Sequence, residues 1–288
     1  MLLSKATLDA YRRDGFVVVD GLLSDAELDH YEQHVTAAVA HRTRADERAL
    51  GDRSPYEQSF RQCINLWEDF PEVEPLTFHP RLAQAASELV GKDVMRLWHD
   101  QALYKEAGGR ETDPHQDQPY WPMTETDTVT AWIPFRGSTL ASGAMGYLPG
   151  SHLVGVRKFV NIFQADDAGV LMELPEIKAI VPMWVEVPRG SVAFHSGLTV
   201  HMAKPNTTGT DRAVHTVIYF ADGSTRRNAA FHPSVDRDEI EVGAVIRGSC
   251  TPVVWPRADG DPVPRPAPIP EFVRQVAGHG TLPEERVR

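Results

Sequence analysis

A histidine and an aspartate two positions apart, His115 and Asp117, are the residues of this sequence whose types and spacing point most directly to chemistry. On a β-strand, residues i and i+2 face the same side, so the imidazole and the carboxylate would lie next to each other. One further imidazole from a distant strand would complete a set of two histidines and one carboxylate. Such a set suits non-haem Fe(II) and leaves coordination positions open. The alternative is that the two residues are an exposed pair on a strand.

Two later histidines are candidates for the third ligand. His201 ends an apolar run, and the chain then breaks at residues 204–206 before a turn at residues 207–210. His195 lies six residues before His201, so both side chains could face the same side of one strand. The apolar run and the spacing to Arg212 favour His201. His195 would then be a wall of the substrate pocket.

A second β-rich run begins at Arg212. If the two runs form a hairpin that is symmetric about the bond between Asn206 and Thr207, His201 and Arg212 lie opposite one another. A guanidinium in that place can hold a carboxylate beside the metal through two parallel hydrogen bonds. An iron enzyme that uses a 2-oxo acid needs such an arginine in addition to its metal ligands. The alternative is that Arg212 is a surface cation next to Asp211.

These residues and their surroundings resemble the phytanoyl-CoA dioxygenase-like family of Fe(II)/2-oxoglutarate-dependent oxygenases. The order and spacing of several short segments carry the resemblance, which spans about residues 94–220. The segments are His115-Gln116-Asp117 with Tyr120, residues 130–134 (TAWIP), residues 142–152 (SGAMGYLPGSH), residues 188–192 (PRGSV), His201 and Arg212. Residues 14–19 (DGFVVV) are also similar to the N-terminal strand of that family.

The resemblance implies a mainly β fold with flanking helices around a double-stranded β-helix, the jelly-roll or cupin-like core of two sheets. It also implies Fe(II), the cosubstrate 2-oxoglutarate and O₂. On the same ground Trp132 and Gln116 are expected to contact 2-oxoglutarate. Gln101 and Lys105, on the strand before the His-x-Asp pair, are further candidates for that pocket.

One position departs from the family pattern. Related sequences often carry a small hydroxyl residue two positions after the distal histidine, and this chain has Ala203 there. Thr130 or Thr210 is expected to supply the missing hydrogen bond to the cosubstrate. Because Asp117 is present, no position for a halide is left at the metal, and hydroxylation or a related oxidation is expected rather than halogenation.

An apolar substrate pocket is expected next to the His-x-Asp pair. Tyr120, Trp121 and Met123 follow the pair and are the predicted lining, with Trp67 and Trp98 as further candidates. The predicted reaction is the oxidation of an unactivated C–H bond in a small organic metabolite, with release of succinate and CO₂. The alternatives are a non-oxygenase metal enzyme on a cupin-like barrel, and a non-catalytic metal-binding protein of the same fold.

Composition and charge exclude several other functions. The chain has 288 residues and a net charge of −11, whereas proteins that bind nucleic acid or anionic membranes generally present a basic face. With two cysteines it has no disulfide framework, and it begins without a long apolar run. We therefore expect a cytoplasmic monomer or homodimer that acts on a small molecule and binds neither nucleic acid nor membrane.

The predicted organisation is a single oxygenase domain over residues 1–288. Residues 1–93 are expected to be mainly helical, with helices at 4–13, 24–41 and 80–90 and a strand at 16–19. Residues 94–222 form the predicted β core, which begins with strands at 94–97 and 102–105 and has a possible lid at 153–183. Residues 223–288 are a Pro-rich extension, expected to lie across the domain or to link subunits, with a last helix at 270–277.

Overall fold

Two antiparallel sheets form the centre of the protein in a computed structural model, which describes residues 1–157, 170–258 and 260–268. The described strands form one seven-stranded and one four-stranded sheet. They are, in chain order, β1 (Phe16–Val19), β2 (Arg61–Ile64), β3 (Met95–Lys105), β4 (Thr112–His115), β5 (Thr128–Pro134), β6 (Met145–Tyr147), β7 (Met183–Val185), β8 (Val192–Ser196), β9 (His201–Ala203), β10 (Arg212–Ala221) and β11 (Val253–Trp255).

From β3 to β10 the chain passes back and forth between the two sheets. The large sheet has the order β1-β8-β5-β10-β3-β11, and β2 also pairs with β3. The small sheet has the order β4-β9-β6-β7. Both sheets are antiparallel throughout, as expected for a jelly roll.

Helices cover the outer face of the large sheet, and their ends follow local sequence signals. Ser24 and Glu27 form a capping box at the start of the second helix, and Gly91 ends the sixth helix with a left-handed φ of 73°. The described α-helices are α1 (Lys5–Asp14), α2 (Asp25–Thr43), α3 (Pro55–Ser59), α4 (Leu66–Asp69), α5 (Glu74–Thr77), α6 (Pro80–Val90) and α7 (Pro233–Asp236).

The main apolar core lies between these helices and the large sheet. Leu28 and Val35 of α2 and Leu82 of α6 are buried there against Leu97 and Val217 of the sheet. A second apolar cluster fills part of the space between the two sheets and includes Phe16, Trp132, Met145 and Tyr147. The space that remains between the sheets is the cavity described below.

The structure corrects three expectations about the strands. Residues 201–203 and 212–221 do not form a hairpin, because β9 joins the small sheet and β10 the large one. Asp117 is not on a strand, because β4 ends at His115 and a 3₁₀ turn begins at Gln118. The two predicted strands at 94–97 and 102–105 are a single long strand, β3.

The C-terminal extension begins by packing against the rest of the chain. Val253 and Trp255 of β11 pair with β3, and the Arg265 guanidinium lies 2.6 Å from a Glu74 carboxylate oxygen. The predicted helix at 270–277 and part of the predicted lid at 153–183 lie outside the described residues. None of the described helices is long and apolar enough to cross a membrane.

Candidate metal centre

The small sheet brings the two ends of the sequence motif together. β4 ends at His115, β9 begins at His201, and these two histidines are register partners. Asp117 follows β4 in a helical conformation, which turns its carboxylate back towards both imidazoles. Its Oδ1 lies 3.8 Å from Nε2 of His115 and 3.7 Å from Nε2 of His201. The three side chains can offer one ligand atom each within 4.8 Å of one another.

Backbone carbonyls orient both imidazoles. Nδ1 of His115 lies 2.8 Å from the carbonyl oxygen of Asp113, and Nδ1 of His201 lies 3.0 Å from that of Thr199. A carbonyl oxygen only accepts, so each Nδ1 carries the proton and each Nε2 presents a lone pair. The two Nε2 lone pairs and Oδ1 of Asp117 then point towards one another, and the distances from Oδ1 to each Nε2 are too long for hydrogen bonds. This donor set is suited to a divalent metal ion.

The second oxygen of Asp117 is held by the large sheet. Oδ2 lies 3.3 Å from Nε2 of His195 and accepts a hydrogen bond of 3.2 Å from the Thr130 hydroxyl. His195 and Thr130 are cross-strand partners on β8 and β5. These contacts keep Oδ2 turned away from the two other imidazoles. They leave Oδ1 as the oxygen that faces His115 and His201.

Burial and charge set the protonation of these groups. Burial and the nearby His201 together lower the pKa of His115 to about 4, and burial lowers the pKa of His201 to about 4. Burial alone would raise the pKa of Asp117, but the charge interaction with His201 and the hydrogen bond from His195 hold it well below its usual range. At neutral pH the site therefore has two neutral imidazoles and one carboxylate, the forms that bind a metal.

Buried neutral histidines make the stability of the metal-free protein depend on pH. Burial lowers the pKa of His99 and His201 to about 4 and that of His215 to about 3, below the unfolded value of about 6.5. Between about pH 6.5 and 4 the unfolded chain therefore binds protons that the folded protein does not. Stability is present above this range and is lost as the pH falls through it.

We expect the free energy of unfolding to fall by more than about 1.4 kcal/mol per pH unit, the value for one proton, between pH 6.5 and 4.5. Burial raises the pKa of Asp100 to about 7, so the folded protein binds one proton there that the unfolded chain does not, and this partly offsets the loss of stability. Urea unfolding at stepped pH measures the slope. His215→Phe should reduce it, whereas His30→Gln at an exposed position should not. A stability that is constant over this range would contradict the expectation.

Arg212 lies in the same cavity but on the large sheet, as the first residue of β10. Its Nη1 donates to the carbonyl of Gly143, and its guanidinium carbon lies 5.1 Å from the centre of the Trp132 ring. Its Nε is buried and has no hydrogen-bond partner among the described residues. Burial lowers the pKa of Arg212 to about 9, so it remains a cation at neutral pH. A buried cation with an unused donor is suited to hold an anionic ligand.

A cavity of about 240 Å³ connects the three converging side chains with Arg212. Most of the site residues predicted from the sequence line it. They are His115, Asp117, His201, Arg212, Trp132, Gln101, Tyr120, Trp121 and His195.

Two predicted residues do not line this cavity. The Gln116 amide donates to the carbonyl of Leu198 at 2.6 Å, and its oxygen accepts from the backbone of Arg157 at 2.8 Å. The Gln116 side chain points away from the side used by His115 and Asp117. Its hydrogen bonds connect the His-x-Asp segment to the start of the predicted lid. Met123 packs in an apolar cluster with Trp98 and other buried residues.

Other candidates also lie elsewhere. Lys105 is buried and donates to the carbonyl of Arg110, and burial lowers its pKa to about 6. Trp67 is part of the core under the helices. Thr210 is exposed, whereas Thr130 lines the cavity and is bonded to Asp117. Thr216 also lines the cavity; the β-rich run that begins at Arg212 predicted a strand there, but Thr216 was not predicted as a site residue.

Sequence reasoning missed the part of the cavity that comes from outside the β core. Tyr56, Phe60 and Gln62 line it from the mainly helical N-terminal part, and Phe231 and His232 from the C-terminal extension. Residues 60–64 (FRQCI) lack strict apolar alternation, so no local pattern indicated a strand there. No local pattern pointed to residues 231 and 232.

The family model for phytanoyl-CoA dioxygenase (PhyH) matches residues 11–214. A phytanoyl-CoA dioxygenase domain-containing protein 1 homolog of Dictyostelium discoideum is 30% identical over 134 residues, covering 45% of this chain and 46% of that protein. The matched regions span less than two thirds of the length of the first curated relatives.

Two solved structures from nogalamycin biosynthesis share the fold. The non-heme alpha-ketoglutarate-dependent carbocyclase SnoK has a TM-score of 0.72 and 26% identity, over 87% of this chain and 96% of that chain. The epimerase SnoN, in complex with Fe3+, alpha-ketoglutarate and nogalamycin RO, has a TM-score of 0.70 and 24% identity, over 87% of this chain and 98% of that chain.

This jelly-roll core is shared with solved non-haem enzymes that depend on 2-oxoglutarate, such as SnoK. The chain belongs to the phytanoyl-CoA dioxygenase family. The family and the fold predicted from the sequence are thereby confirmed. The sequence resemblance also implied iron and 2-oxoglutarate, and the solved complex of SnoN contains Fe3+ and alpha-ketoglutarate.

Proposed function

We propose that this protein is a non-haem Fe(II)- and 2-oxoglutarate-dependent dioxygenase that oxidises an unactivated C–H bond of a small organic molecule and releases succinate and CO₂. The observation that carries the proposal is the convergence of His115, Asp117 and His201 in a cavity that also contains a buried arginine, Arg212. Hydroxylation or a related oxidation is favoured over halogenation, because Asp117 takes the position that a halide would need.

His115 and His201 would hold the iron through Nε2, because each Nδ1 donates to a backbone carbonyl. Asp117 would bind through Oδ1, because Oδ2 already accepts from Thr130 and His195. Fixed partners of this kind orient metal ligands and strengthen binding. With 2-oxoglutarate and O₂ bound, the iron supplies the oxidising power that cleaves the C–H bond.

Arg212 would bind the distal carboxylate of 2-oxoglutarate. Its buried Nε has no described partner, and it is charged at neutral pH, so a carboxylate there would satisfy both the hydrogen bond and the charge. Trp132 packs near the guanidinium and limits its orientations. Gln101 is fixed in turn, since its oxygen accepts a 2.5 Å hydrogen bond from Gln62 and its amide nitrogen remains to donate.

We also propose that residues 1–288 form one oxygenase domain. The cavity is lined by Tyr56 from the N-terminal part, by the β core, and by His232 from the C-terminal extension. Removal of either flanking part would open the cavity to water. The relatives act on small molecules according to their names, such as nogalamycin RO bound to SnoN, and a small-molecule substrate is proposed here.

Succinate formation tests the proposal without knowledge of the substrate. The anaerobically reconstituted iron protein should convert 2-oxoglutarate slowly to succinate once O₂ is admitted, and a true substrate should accelerate this conversion. Omission of iron, 2-oxoglutarate or O₂ should each abolish it. A reaction that needs the metal but neither 2-oxoglutarate nor O₂ would favour a lyase or isomerase in which Arg212 binds a substrate carboxylate.

The two later histidines should differ in one spectroscopic property. The anaerobic complex with Fe(II) and 2-oxoglutarate should show a visible charge-transfer band, and His201→Ala should eliminate it because a metal ligand is lost. His195→Ala should keep a band at a shifted wavelength, since His195 contacts the second oxygen of Asp117. Loss of the band in His195→Ala and its retention in His201→Ala would reverse the assignment.

A further inference from the structure

A β-bulge in β3 brings two neighbouring side chains, Trp98 and His99, against the ring of His232. The register between β10 and β3 shifts between Ile218 and Tyr219, which makes Trp98 the extra residue. Trp98 and His99 both stack on the ring of His232, with centroid distances of 4.4 and 5.7 Å. Bulges often lie next to active sites, where they redirect a side chain. Here the bulge places His99 beside His232 in the cavity wall.

The two imidazoles have complementary hydrogen-bonding states. Nδ1 of His99 lies 3.3 Å from the carbonyl oxygen of Asp100, so it carries the proton and its Nε2 is an acceptor. Nδ1 of His232 accepts a 3.2 Å hydrogen bond from the backbone N–H of Ser234, so its proton is on Nε2, which is a donor. Among the described residues, the hydrogen bonds of both imidazoles are made at Nδ1, and none is made at Nε2.

The register of the large sheet places this pair on the far side of the candidate metal centre from Arg212. Ile218 pairs with His99 on one side and with Thr130, which contacts Asp117, on the other. Two strand spacings separate His99 from Thr130, or about 10 Å. The β3 partner of Arg212 lies six residues from His99, or about 20 Å along the strand. A ligand at His99 is therefore near the metal side chains and out of reach of Arg212.

The lining of the cavity around the pair is mostly aromatic. Tyr120, Trp121 and Phe231 line this part of the cavity, and Arg212 is the only lysine or arginine among its described lining residues. Burial lowers the pKa of His99 to about 4 and that of His232 well below its ordinary value, so both are neutral at pH 7. Neutral imidazoles and aromatic rings provide no compensation for the phosphates of an acyl-CoA thioester.

We propose that His99 and His232 form a substrate subsite in which His99 accepts one hydrogen bond and His232 donates another. The substrate that fits it is an uncharged, largely apolar molecule with a hydroxyl group next to a carbonyl group. The hydroxyl donates to Nε2 of His99, and the carbonyl accepts from Nε2 of His232. This inference rests on the proposed function for the reaction at the metal, but binding at the subsite requires no metal.

Calorimetry with the metal-free protein tests the subsite with matched probes. Benzoin has adjacent hydroxyl and carbonyl groups, and deoxybenzoin lacks the hydroxyl. Benzoin should bind about tenfold more tightly, because deoxybenzoin leaves the buried acceptor of His99 unpaired. His99→Leu should make the two affinities equal, and His99→Gln should restore part of the difference. His232→Phe should weaken both ketones, and His30→Leu on the surface should change nothing.

A measurement on the native protein covers the case in which a variant does not fold. Nitrogen NMR of ¹⁵N-labelled histidine should show the proton on Nδ1 of His99 and on Nε2 of His232, and addition of benzoin should shift both Nε2 signals. The opposite tautomers would overturn the proposal. So would equal affinities of the native protein for the two ketones, no binding of benzoin, or tighter binding of benzoyl-CoA than of benzoin.

The outcomes separate this subsite from the proposed function. Discrimination between the ketones that depends on His99 supports the subsite even if 2-oxoglutarate is never converted to succinate, which would contradict the proposed function alone. Normal iron-dependent succinate formation by a protein that does not distinguish the ketones would overturn the subsite alone.

Discussion

Asp117→Ala is expected to abolish turnover and to weaken Fe(II) binding by more than about a hundredfold. Loss of a residue that only supports a metal ligand costs about ten- to a hundredfold in metal affinity or activity, and Asp117 is proposed as a ligand itself. It is also the only carboxylate among the described lining residues of the cavity. Without it, His115 and His201 would have to hold a divalent cation with no anionic partner.

Anaerobic Fe(II) titration and succinate formation measure the two effects. Asp113→Ala is the matched control, because it removes a carboxylate two positions before His115 but keeps the backbone carbonyl that orients that imidazole. The Asp113 side chain lies 3.5 Å from Arg110 and does not line the cavity. The control should therefore retain iron binding. Near-normal turnover in Asp117→Ala would contradict the assignment of the three metal ligands.

The parts of the fold that could be predicted are those that depend on neighbouring residues. The capping box at Ser24 and the stop at Gly91 are local signals, and the ends of α2 and α6 lie within two residues of the expected positions. The spacing of His115 and Asp117, together with the segments that carry the family resemblance, identified them as a candidate pair. It did not reveal that a turn, and not a strand, directs the carboxylate of Asp117.

The pairing of distant strands could not be predicted from such patterns. Residues 201–220 show two β-rich runs separated by a turn, which is what a hairpin also shows. Only the packing of the whole chain decides that His201 joins the small sheet while Arg212 joins the large one. The two residues nevertheless line one cavity, because the sheets face each other. His201 and Arg212 therefore share one site, as expected, but they do so across two facing sheets and not across a hairpin.

The part of the cavity around His99 and His232 was even harder to predict from the sequence. His232 reaches it from a segment more than a hundred residues after His99, and the two are brought together by a bulge that no sequence pattern marks. Neither residue belongs to the segments that carry the family resemblance. The residues proposed to bind the cosubstrate and the metal could be identified from motifs, whereas those proposed to select the substrate required the three-dimensional structure.

Arg212→Ala is expected to raise the KM for 2-oxoglutarate by at least about thirtyfold while Fe(II) binding stays nearly intact. Loss of the charged partner of a buried carboxylate typically costs about 2–5 kcal/mol, or about thirty- to several-thousand-fold in affinity. Arg212→Lys should recover only part of the loss, because lysine keeps the charge but not the planar pair of donors. Succinate formation at varied 2-oxoglutarate and anaerobic iron titration measure the two properties separately.

Two comparisons show whether Arg212 acts on the distal carboxylate. Pyruvate, a 2-oxo acid without that group, should be a poor cosubstrate of the native protein and should lose little further in Arg212→Ala. Arg110→Ala, which removes a guanidinium that does not line the cavity, should leave the KM for 2-oxoglutarate unchanged. If Arg212→Ala instead preserves the affinity for 2-oxoglutarate and abolishes that for the substrate, Arg212 binds the substrate, and a metal enzyme that does not use 2-oxoglutarate becomes the better account of the site.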